Sequence, residues 1–276
     1  MKKLFLAFAL FAIGTVANAQ LKTPAPSPAQ NVKQDFGLSS IELAYCRPVM
    51  KGRKIFGDLV PFGNVWRTGA NAATTLTFGD EVTIGGKKIP AGKYGLLTIP
   101  DKNLWTIIIS KQTNVTSPSL YKPEEDVVRV TAKPVVLPIS VESFTISFHD
   151  IQRESCKIYI VWDKTAVSFP VTTDVDSKVM ASIDAAMKSE KPPYFQAAAY
   201  YLENNKDIKK ANEWFAKAVE LNPNAYWVWY QQAKGLAKAG KTTEARAAAQ
   251  KSRQLAVEGK NNDYVTLNDK LLAELK

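Results

Sequence analysis

Apolar and polar positions alternate over short runs between residues 31 and 172, which is the period of a β-strand that faces a core on one side. Phe144, Ile146 and Phe148, for example, alternate with a threonine and a serine. Gly, Pro and Asn separate these runs, and no helical pattern lies between them. The pattern therefore predicts an antiparallel β-sandwich over residues 31–172. Its predicted strands span residues 40–46, 74–78, 81–84, 94–99, 104–110, 127–133, 143–148, 157–162 and 166–171.

After Thr172 the apolar positions recur every three to four residues, which is the period of an amphipathic α-helix. This change predicts a linking helix within residues 173–191. Its apolar stripe consists of four residues at intervals of four: Val175, Val179, Ile183 and Met187.

From residue 192 onward the chain repeats itself at an interval of 34 residues, as in the pair Phe195 and Trp229. A period of this length is typical of helix pairs that stack on one another. We therefore expect a helical-repeat domain over residues 192–276, in which residues 261–276 form the terminal capping helix.

The spacing of small and aromatic residues in this segment resembles that of tetratricopeptide repeats. Ala211, Phe215 and Ala218, followed by Pro223, fall at the family's positions in the first unit. The second unit has the small Ala249 where the family has a larger residue, which predicts looser packing there. The resemblance implies a surface that binds a peptide or a partner protein.

Residues 1–19 have the organisation of a secretory signal peptide. Two lysines precede an apolar stretch over residues 4–13, and an Ala-Asn-Ala tripeptide ends at Ala19. We expect cleavage between Ala19 and Gln20 and an exported protein, either periplasmic or secreted. The apolar stretch is too short to cross a bilayer, so no membrane span is expected. Residues 20–30 contain several prolines and are predicted to form a flexible lead-in.

Composition excludes several classes of protein. Hydrophobic residues make up 46% of the chain and charged residues 22%, which is unlike a disordered chain. Two cysteines and one histidine are too few for a disulfide-dense scaffold or a Cys/His zinc cluster, so no metal and no cofactor are predicted. Loss of Lys2 and Lys3 with the signal peptide lowers the formal net charge from +10 to +8. The basic residues are scattered and the protein is expected to be exported, which argues against nucleic acid as a partner.

A long irregular segment over residues 45–71 is the most distinctive part of the chain, and a loop of this kind either binds a ligand or packs on itself. Its motifs and a later one resemble the exported bacterial family called domain of unknown function 2911, over about residues 29–171. The resemblance implies a bacterial envelope protein and brings no activity with it. The motifs are Arg-Pro at 47–48, Lys-Gly-Arg-Lys-Ile-Phe-Gly at 51–57, Val-Trp-Arg-Thr-Gly-Ala-Asn at 65–71 and Pro-Ala-Gly-Lys-Tyr-Gly at 90–95.

Five residues of this segment form a candidate ligand-binding set: Arg47, Arg53, Trp66, Arg67 and Asn71. A guanidinium fork suits a carboxylate, sulfate or phosphate, and a tryptophan ring can stack on a sugar. The set therefore predicts an anionic or carbohydrate ligand. The alternative is a structural network in which Asp58 pairs with one arginine and the others bond loop carbonyls.

The first helix of the second repeat unit carries more aromatic residues than one helix face can bury. Trp229 is predicted to pack in the core, whereas Trp227 lies on a different face. The candidate surface for a protein partner consists of Tyr226, Trp227 and Tyr230.

Catalysis finds little support in the residue types present. His149 is the only histidine, and on an alternating strand it points away from the core. A pair of carboxylates of the glycosidase kind requires Asp58 and the acidic run 124–126, which we expect to be a solvated turn. The prediction is a protein that is not an enzyme, with a hydrolase as the weakest alternative.

Cys46 and Cys156 are an even number of cysteines in an oxidising compartment. Both fall on predicted strands, and nothing in the pattern says whether these strands are neighbours. One disulfide and two free buried thiols remain equal alternatives.

Together these features predict an exported, non-enzymatic binding or scaffolding protein of the bacterial envelope. Its helical repeats would contact a protein or peptide partner. In the alternative, the β-sandwich recognises a small carbohydrate or anionic ligand through the loop 47–71.

Overall fold

The computed structural model describes residues 23–275, and the chain divides into two compact units between Val175 and Asp176. The predicted signal peptide, its cleavage point and the first residues of the predicted lead-in lie outside the described residues. The two units are described one at a time below.

The first unit is built from β-strands, with two short 3-10 helices at Pro118–Leu120 and Pro123–Glu125. All strand pairs are antiparallel, and they form a six-stranded and a four-stranded sheet. The strands are β1 (Ala29–Phe36), β2 (Ser39–Cys46), β3 (Thr74–Phe78), β4 (Val82–Ile84), β5 (Lys87–Ile89), β6 (Gly92–Ile99), β7 (Trp105–Ser110), β8 (Asp126–Ala132), β9 (Val135–His149) and β10 (Ser155–Thr172).

The larger sheet has the strand order β1-β2-β3-β6-β7-β8, and the smaller one has the order β5-β4-β10-β9. Within the smaller sheet Gly85 and Gly86 join β4 to β5, with φ values of 58° and 77°. Two positive φ angles suit a two-residue hairpin, and glycine adopts them without a steric penalty. The antiparallel β domain that the alternating pattern predicted is thus confirmed.

One core lies between the sheets and follows the predicted alternation. Phe144 and Ile146 of β9 are buried, and Ile158, Ile160 and Trp162 of β10 are buried beside them. Burying an aliphatic or aromatic side chain of this size contributes about 1.5–3 kcal/mol. The inward faces of the strands therefore supply much of the stabilisation of this unit.

Several strands differ from the predicted ones, and β9, for example, begins at Val135, eight residues before the predicted strand at 143–148. β1 begins at Ala29, so the last two residues of the predicted lead-in belong to a strand. Its only fully buried side chain is Phe36, and this weak alternation explains why the sequence pattern missed it. β10 is a single strand over Ser155–Thr172 where the pattern predicted two, because irregular pairing around Asp163 interrupts the alternation without ending the strand.

The second unit consists of helices, and each helix from the second onward packs mainly against its neighbours along the chain. The helical fold expected after the β domain is confirmed, and the resemblance to tetratricopeptide repeats stays a prediction. Among the described residues, none of the helices combines the length and the apolar character that a membrane crossing requires. The helices are α1 (Asp176–Ala186), α2 (Tyr194–Glu203), α3 (Ile208–Leu221), α4 (Tyr226–Lys238), α5 (Thr242–Glu258) and α6 (Asn262–Glu274).

Small residues form much of the helical core. Ala233, Ala248 and Ala249 are buried in one cluster, against which Trp229 packs. Ala249, where looser packing was predicted, has no exposed surface. Side chains cap the starts of two helices: Asp207 accepts hydrogen bonds from two backbone N–H groups of α3, and Asn261 accepts one from the N–H of Tyr264 in α6.

Candidate functional site

The segment between β2 and β3, which are neighbouring strands of the larger sheet, contacts both sheets. Its first part lies along the free side of β9, where the N–H of Phe144 donates to the carbonyl of Pro48 and the N–H of Met50 donates to that of Glu142, each at 2.9 Å. Its second part lies beside β6, where Trp66 and Thr98 exchange backbone hydrogen bonds. Tertiary hydrogen bonds therefore hold the loop at both ends.

Between these two ends the loop encloses one side of a cavity of about 410 Å³. This volume lies at the lower end of the range typical of small-molecule sites. Most of the lining residues are apolar. Among the described residues of the lining, two are arginines and none carries a carboxylate. The lining consists of Ser27, Pro48, Arg53, Leu59, Val60, Pro61, Asn64, Val65, Trp66, Arg67, Gly69, Ala70, Pro118 and Trp162.

Arg67 is a lining residue whose guanidinium group is only partly hydrogen-bonded. Its Nη1 donates to the carbonyl of Thr116 at 2.9 Å, which ties the loop to the segment that follows β7. Its Nε is buried and has no hydrogen-bond partner. A buried donor without a partner is rare in proteins and requires an explanation, such as a bound water or ion or a functional role.

Arg53 also lines the cavity, but it is bonded differently. Its Nε donates to the carbonyl of Met50 at 2.8 Å and its Nη2 donates to that of Val49 at 2.6 Å. Both bonds lie within the loop, so this guanidinium shapes the backbone on which it stands. The side chain is exposed, and its Nη1 remains available at the cavity.

The other two polar residues of the candidate set do not line the cavity. Arg47 donates from Nε to the carbonyl of Phe144 at 3.0 Å and from Nη2 to the hydroxyl of Thr145 at 2.8 Å. Asn71 donates from Nδ2 to the carbonyl of Ser27 at 3.4 Å. Both residues thus have a structural environment outside the cavity.

The alternative interpretation of this loop, a structural network of arginines and Asp58, agrees with some of the observed contacts and not with others. The arginines do bond carbonyl groups, as that alternative expected. Asp58, however, is exposed and forms no ion pair within residues 23–275. No carboxylate of this loop therefore neutralises the arginines beside the cavity.

Trp66 is a wall of the cavity and a part of the core. Its ring lies 6.0 Å from that of Trp162 at an interplanar angle of 16°, and the rings of Phe56 and Phe144 contact it edge-on. Its Nε1 donates to the carbonyl of Gly69 at 3.0 Å. Because neighbouring rings already pack against it, Trp66 has little free face for stacking on a sugar.

Several lining residues were not in the predicted set. Trp162 lies on β10, almost a hundred residues beyond the loop. The alternation of apolar and polar positions along that strand indicated only that Trp162 is buried. Leu59, Pro61 and Asn64 lie within the distinctive segment but carry no signal of their own in the sequence. Their part in the cavity depends on tertiary structure alone.

The residues weighed for catalysis lie away from this cavity. His149 is exposed at the end of β9 and forms a 2.8 Å hydrogen bond with the hydroxyl of Ser147. Asp58 and Glu124 are also exposed. Within residues 23–275 no group of three or more metal-ligating side chains comes together.

The acidic run 124–126 was predicted to be a solvated turn. Asp126 does not fit this prediction, because its side chain is only 8% exposed. It accepts a hydrogen bond from the hydroxyl of Tyr121 and a 2.7 Å ion-pair bond from Nε of Arg129. Burial and the hydrogen bond to Asp126 raise the pKa of Tyr121 to about 12. This cluster connects the 3-10 segment to β8.

The two cysteines have free thiols. Cys46 is half-buried at the end of β2 in the larger sheet, and Cys156 is buried in β10 of the smaller sheet. Burial raises the pKa of the Cys156 thiol to about 11. A high pKa keeps the thiol protonated and unreactive at neutral pH.

In the helical unit, the candidate partner-binding residues lie at the start of α4. Trp227 is 43% exposed, and the neighbouring Leu221 is 67% exposed. Both line a pocket of about 220 Å³ within this unit. Tyr226 and Tyr230 are half-buried against Tyr264 of α6, at ring distances of 4.9 and 5.6 Å.

The fold and the cavity define a class: an antiparallel β domain with a mostly apolar, arginine-bearing cavity, followed by a helical unit. Within that class, the family model described as "Protein of unknown function (DUF2911)" matches residues 27–171, more than half of the chain. The chain therefore belongs to this family, as its motifs indicated. No curated protein and no solved structure gives a significant match to the chain.

Proposed function

We propose that this protein is an exported, non-enzymatic binding protein that takes up a small organic ligand in the cavity beside Arg67. The observation that carries the proposal is a mostly apolar cavity, large enough for a ligand, that is lined by Arg67, a residue whose buried Nε has no hydrogen-bond partner. An unpaired buried donor costs about 1–3 kcal/mol, and more when the group is charged. A bound ligand that accepts this hydrogen bond removes the cost.

The remainder of the lining supports binding rather than catalysis. Apolar side chains and proline rings provide most of the walls, which is typical of small-molecule sites. Among the described lining residues there is no histidine, cysteine or carboxylate. These are the groups that most acid–base and nucleophilic mechanisms use.

Blocking the cavity tests the proposal. The Ala70→Phe variant places a ring inside the cavity, and Ala91→Phe places the same ring on an exposed turn elsewhere. Ligand-observed NMR with a panel of phenyl-substituted acids, amides and alcohols, together with monosaccharides and uronic acids, reports binding to each form. We expect at least one compound to bind the wild type and the Ala91→Phe variant but not the Ala70→Phe variant. Binding of no compound, or equal binding to all three proteins, would overturn the proposal.

A second candidate function, binding of a protein partner by the helical unit, is favoured by one observation. Trp227 and Leu221 expose apolar surface beside the same pocket, on helices where such side chains are usually buried. The charged residues of α4 are Lys234 and Lys238, with no carboxylate on that helix. We therefore propose a peptide segment in which an apolar side chain is flanked by acidic residues.

A peptide array with acidic, neutral or basic residues around a central apolar residue tests this second candidate. We expect binding mainly to the acidic peptides, its loss in Trp227→Ala, and its retention in Val257→Ala, which removes an exposed apolar side chain from α5. Equal binding to basic peptides, or an unchanged profile in Trp227→Ala, would contradict it.

A further inference from the structure

The guanidinium of Arg67 has one edge occupied and one edge free. Nη1, the nitrogen on the side of the aliphatic stem, donates to Thr116. Nε and Nη2 together form the opposite edge, from which two parallel N–H bonds can be donated. Nε has no partner there, and no hydrogen bond from Nη2 is present in the described part of the chain. Two parallel donors match the two oxygens of a carboxylate.

In Arg53 the hydrogen bonds occupy the opposite edge of the guanidinium group. Its Nε and Nη2 edge is already filled by the carbonyls of Met50 and Val49. Only Nη1 remains, and a single donor adds positive charge without the geometry of a fork. Of the two arginines that line the cavity, Arg67 therefore has an unoccupied bidentate edge, and Arg53 adds a second positive charge.

The electrostatic environment favours an anion at this position. The described lining contains two guanidinium groups and no carboxylate, and Asp58 of the same loop is exposed and not part of the lining. A positive group that is partly removed from water and has no counter-ion attracts an anionic ligand more strongly than one in solution.

The body of the ligand faces apolar walls. The aromatic and aliphatic members of the lining include Trp66, Trp162, Val60 and Leu59, whereas the uncharged polar side chains are those of Ser27 and Asn64. Sugar hydroxyls lose hydrogen bonds with water on burial and need many polar partners in return. Two such side chains are too few for a sugar, but they suit an apolar body.

We infer that the cavity binds an organic monocarboxylate, with its carboxylate on the free Nε–Nη2 edge of Arg67 and its apolar body against Trp66, Trp162 and Leu59. This inference rests on the proposed function, because it names the class of ligand for the same cavity. A phosphate or sulfate ester carries a third oxygen, for which the lining arginines offer only the single Nη1 donor of Arg53, so phenyl phosphate is included among the probes below.

Calorimetry with matched probes tests the inference on the full chain. The probes are 4-phenylbutyrate, its uncharged amide 4-phenylbutyramide, phenyl phosphate and glucuronate. We expect the wild type to bind 4-phenylbutyrate roughly tenfold or more tightly than the amide, because a charge-assisted hydrogen-bond pair is lost with the charge. Phenyl phosphate and glucuronate should bind more weakly than 4-phenylbutyrate.

Three variants localise the effect. Arg67→Gln should remove the preference for the acid over the amide, and Arg67→Lys should retain part of it, because the charge remains and the fork is lost. Lys54→Gln, which removes an exposed cation of the same loop outside the lining, should leave the preference unchanged. Thermal unfolding shows whether each variant is folded. The ratio of the wild type's affinities for 4-phenylbutyrate and for its amide tests the inference even if a variant does not fold.

The outcomes separate the two proposals. Equal binding of acid and amide to the wild type, both abolished by Ala70→Phe, would overturn the carboxylate inference and leave the small-ligand function standing. Preferential binding of glucuronate or phenyl phosphate would also overturn the inference. If none of the probes and none of the compounds in the wider panel bound in a manner sensitive to Ala70→Phe, both proposals would fail.

Discussion

The two units of this protein differ in the share of small side chains in their cores, although the helical unit also buries Phe215. In the β-sandwich, Trp105, Trp162 and Phe144 are among the largest side chains with no appreciable exposure. In the helical unit, Ala233 and Ala249 are buried where α4 and α5 pack together. Two sheets stand about 10 Å apart and need large side chains to fill the space. Helices approach each other more closely where their residues are small.

This contrast teaches that the two cores should respond to opposite kinds of substitution. Removing atoms from the sandwich leaves a void at a position such as Phe144, which is surrounded by rings of both sheets and of the loop between β2 and β3. Adding atoms to the helical interface forces the helices apart, because alanine leaves no spare volume. Substitutions of both kinds test whether the contrast is real.

The largest effect is expected for Phe144→Ala in the sandwich. Phe144 is fully buried and contacts the rings of Tyr45, Trp66 and Trp162. Loss of the ring should lower the free energy of unfolding of this unit by about 3–5 kcal/mol. Hydrogen exchange measured by mass spectrometry on peptides from β9 and β10 reports this unit separately from the helices.

Val136→Ala provides the matched control, because Val136 lies on the same strand and is 81% exposed. Its effect should stay within about 0.5 kcal/mol. A loss below about 1 kcal/mol for Phe144→Ala would show that the sandwich core tolerates voids, against the expectation of about 3–5 kcal/mol.

In the helical unit the corresponding change is Ala249→Leu, which adds atoms at a position with no exposed surface. We expect a loss of about 1–3 kcal/mol from overpacking against Ala233 and Trp229. Ala247→Leu adds the same atoms on the exposed side of α5 and should have little effect. Stabilisation by Ala249→Leu, seen as slower hydrogen exchange in α4 and α5, would instead mean that this interface has room for a larger residue.

A smaller effect is expected at the start of α3. Asp207 accepts hydrogen bonds from the N–H groups of Lys209 and Lys210 at 2.9 and 3.2 Å. Asp207→Ala removes this cap and should cost about 1 kcal/mol. Asp207→Asn keeps an acceptor oxygen at the same place and should retain most of the stability. Equal losses in the two variants, measured by denaturant unfolding, would count against the capping role.

The last effect is confined to alkaline pH. Tyr121 has a pKa raised to about 12 by burial and by its hydrogen bond to Asp126, whereas an unfolded tyrosine titrates near pH 10. The unfolded chain therefore loses this proton first, so the contribution of Tyr121 is present below about pH 10 and is lost as the pH rises through about 12. Absorbance of phenolate between pH 9 and 13 should show a late-titrating phase that is smaller by one tyrosine in Tyr121→Phe; Tyr230, whose pKa is also raised, should remain in it. An unchanged titration curve would contradict the assignment.

Much of the fold could be predicted from the sequence, because periodicity is a local property. The strand at residues 74–78 has the predicted limits, and the change of period near Thr172 lies close to the unit boundary at Val175. β1 was missed because an edge strand with one fully buried side chain has almost no alternation to detect.

The candidate site was predictable only in part. The sequence singled out the loop and its arginines by residue type, and Arg53, Trp66 and Arg67 do meet at one cavity. Nothing in the residue types distinguished them from Arg47, whose partners Phe144 and Thr145 lie almost a hundred residues away along the chain.

For this protein, then, the amino-acid sequence by itself determined the secondary structure, the order of the two units and the membership of the family. Those properties depend on neighbouring residues and on short motifs. Tertiary structure alone decided which edge of each guanidinium is free, because that depends on carbonyl groups brought close by folding. The difference between Arg53, bonded within its own loop, and Arg67, tied to Thr116 and open at Nε, exists only in the folded chain.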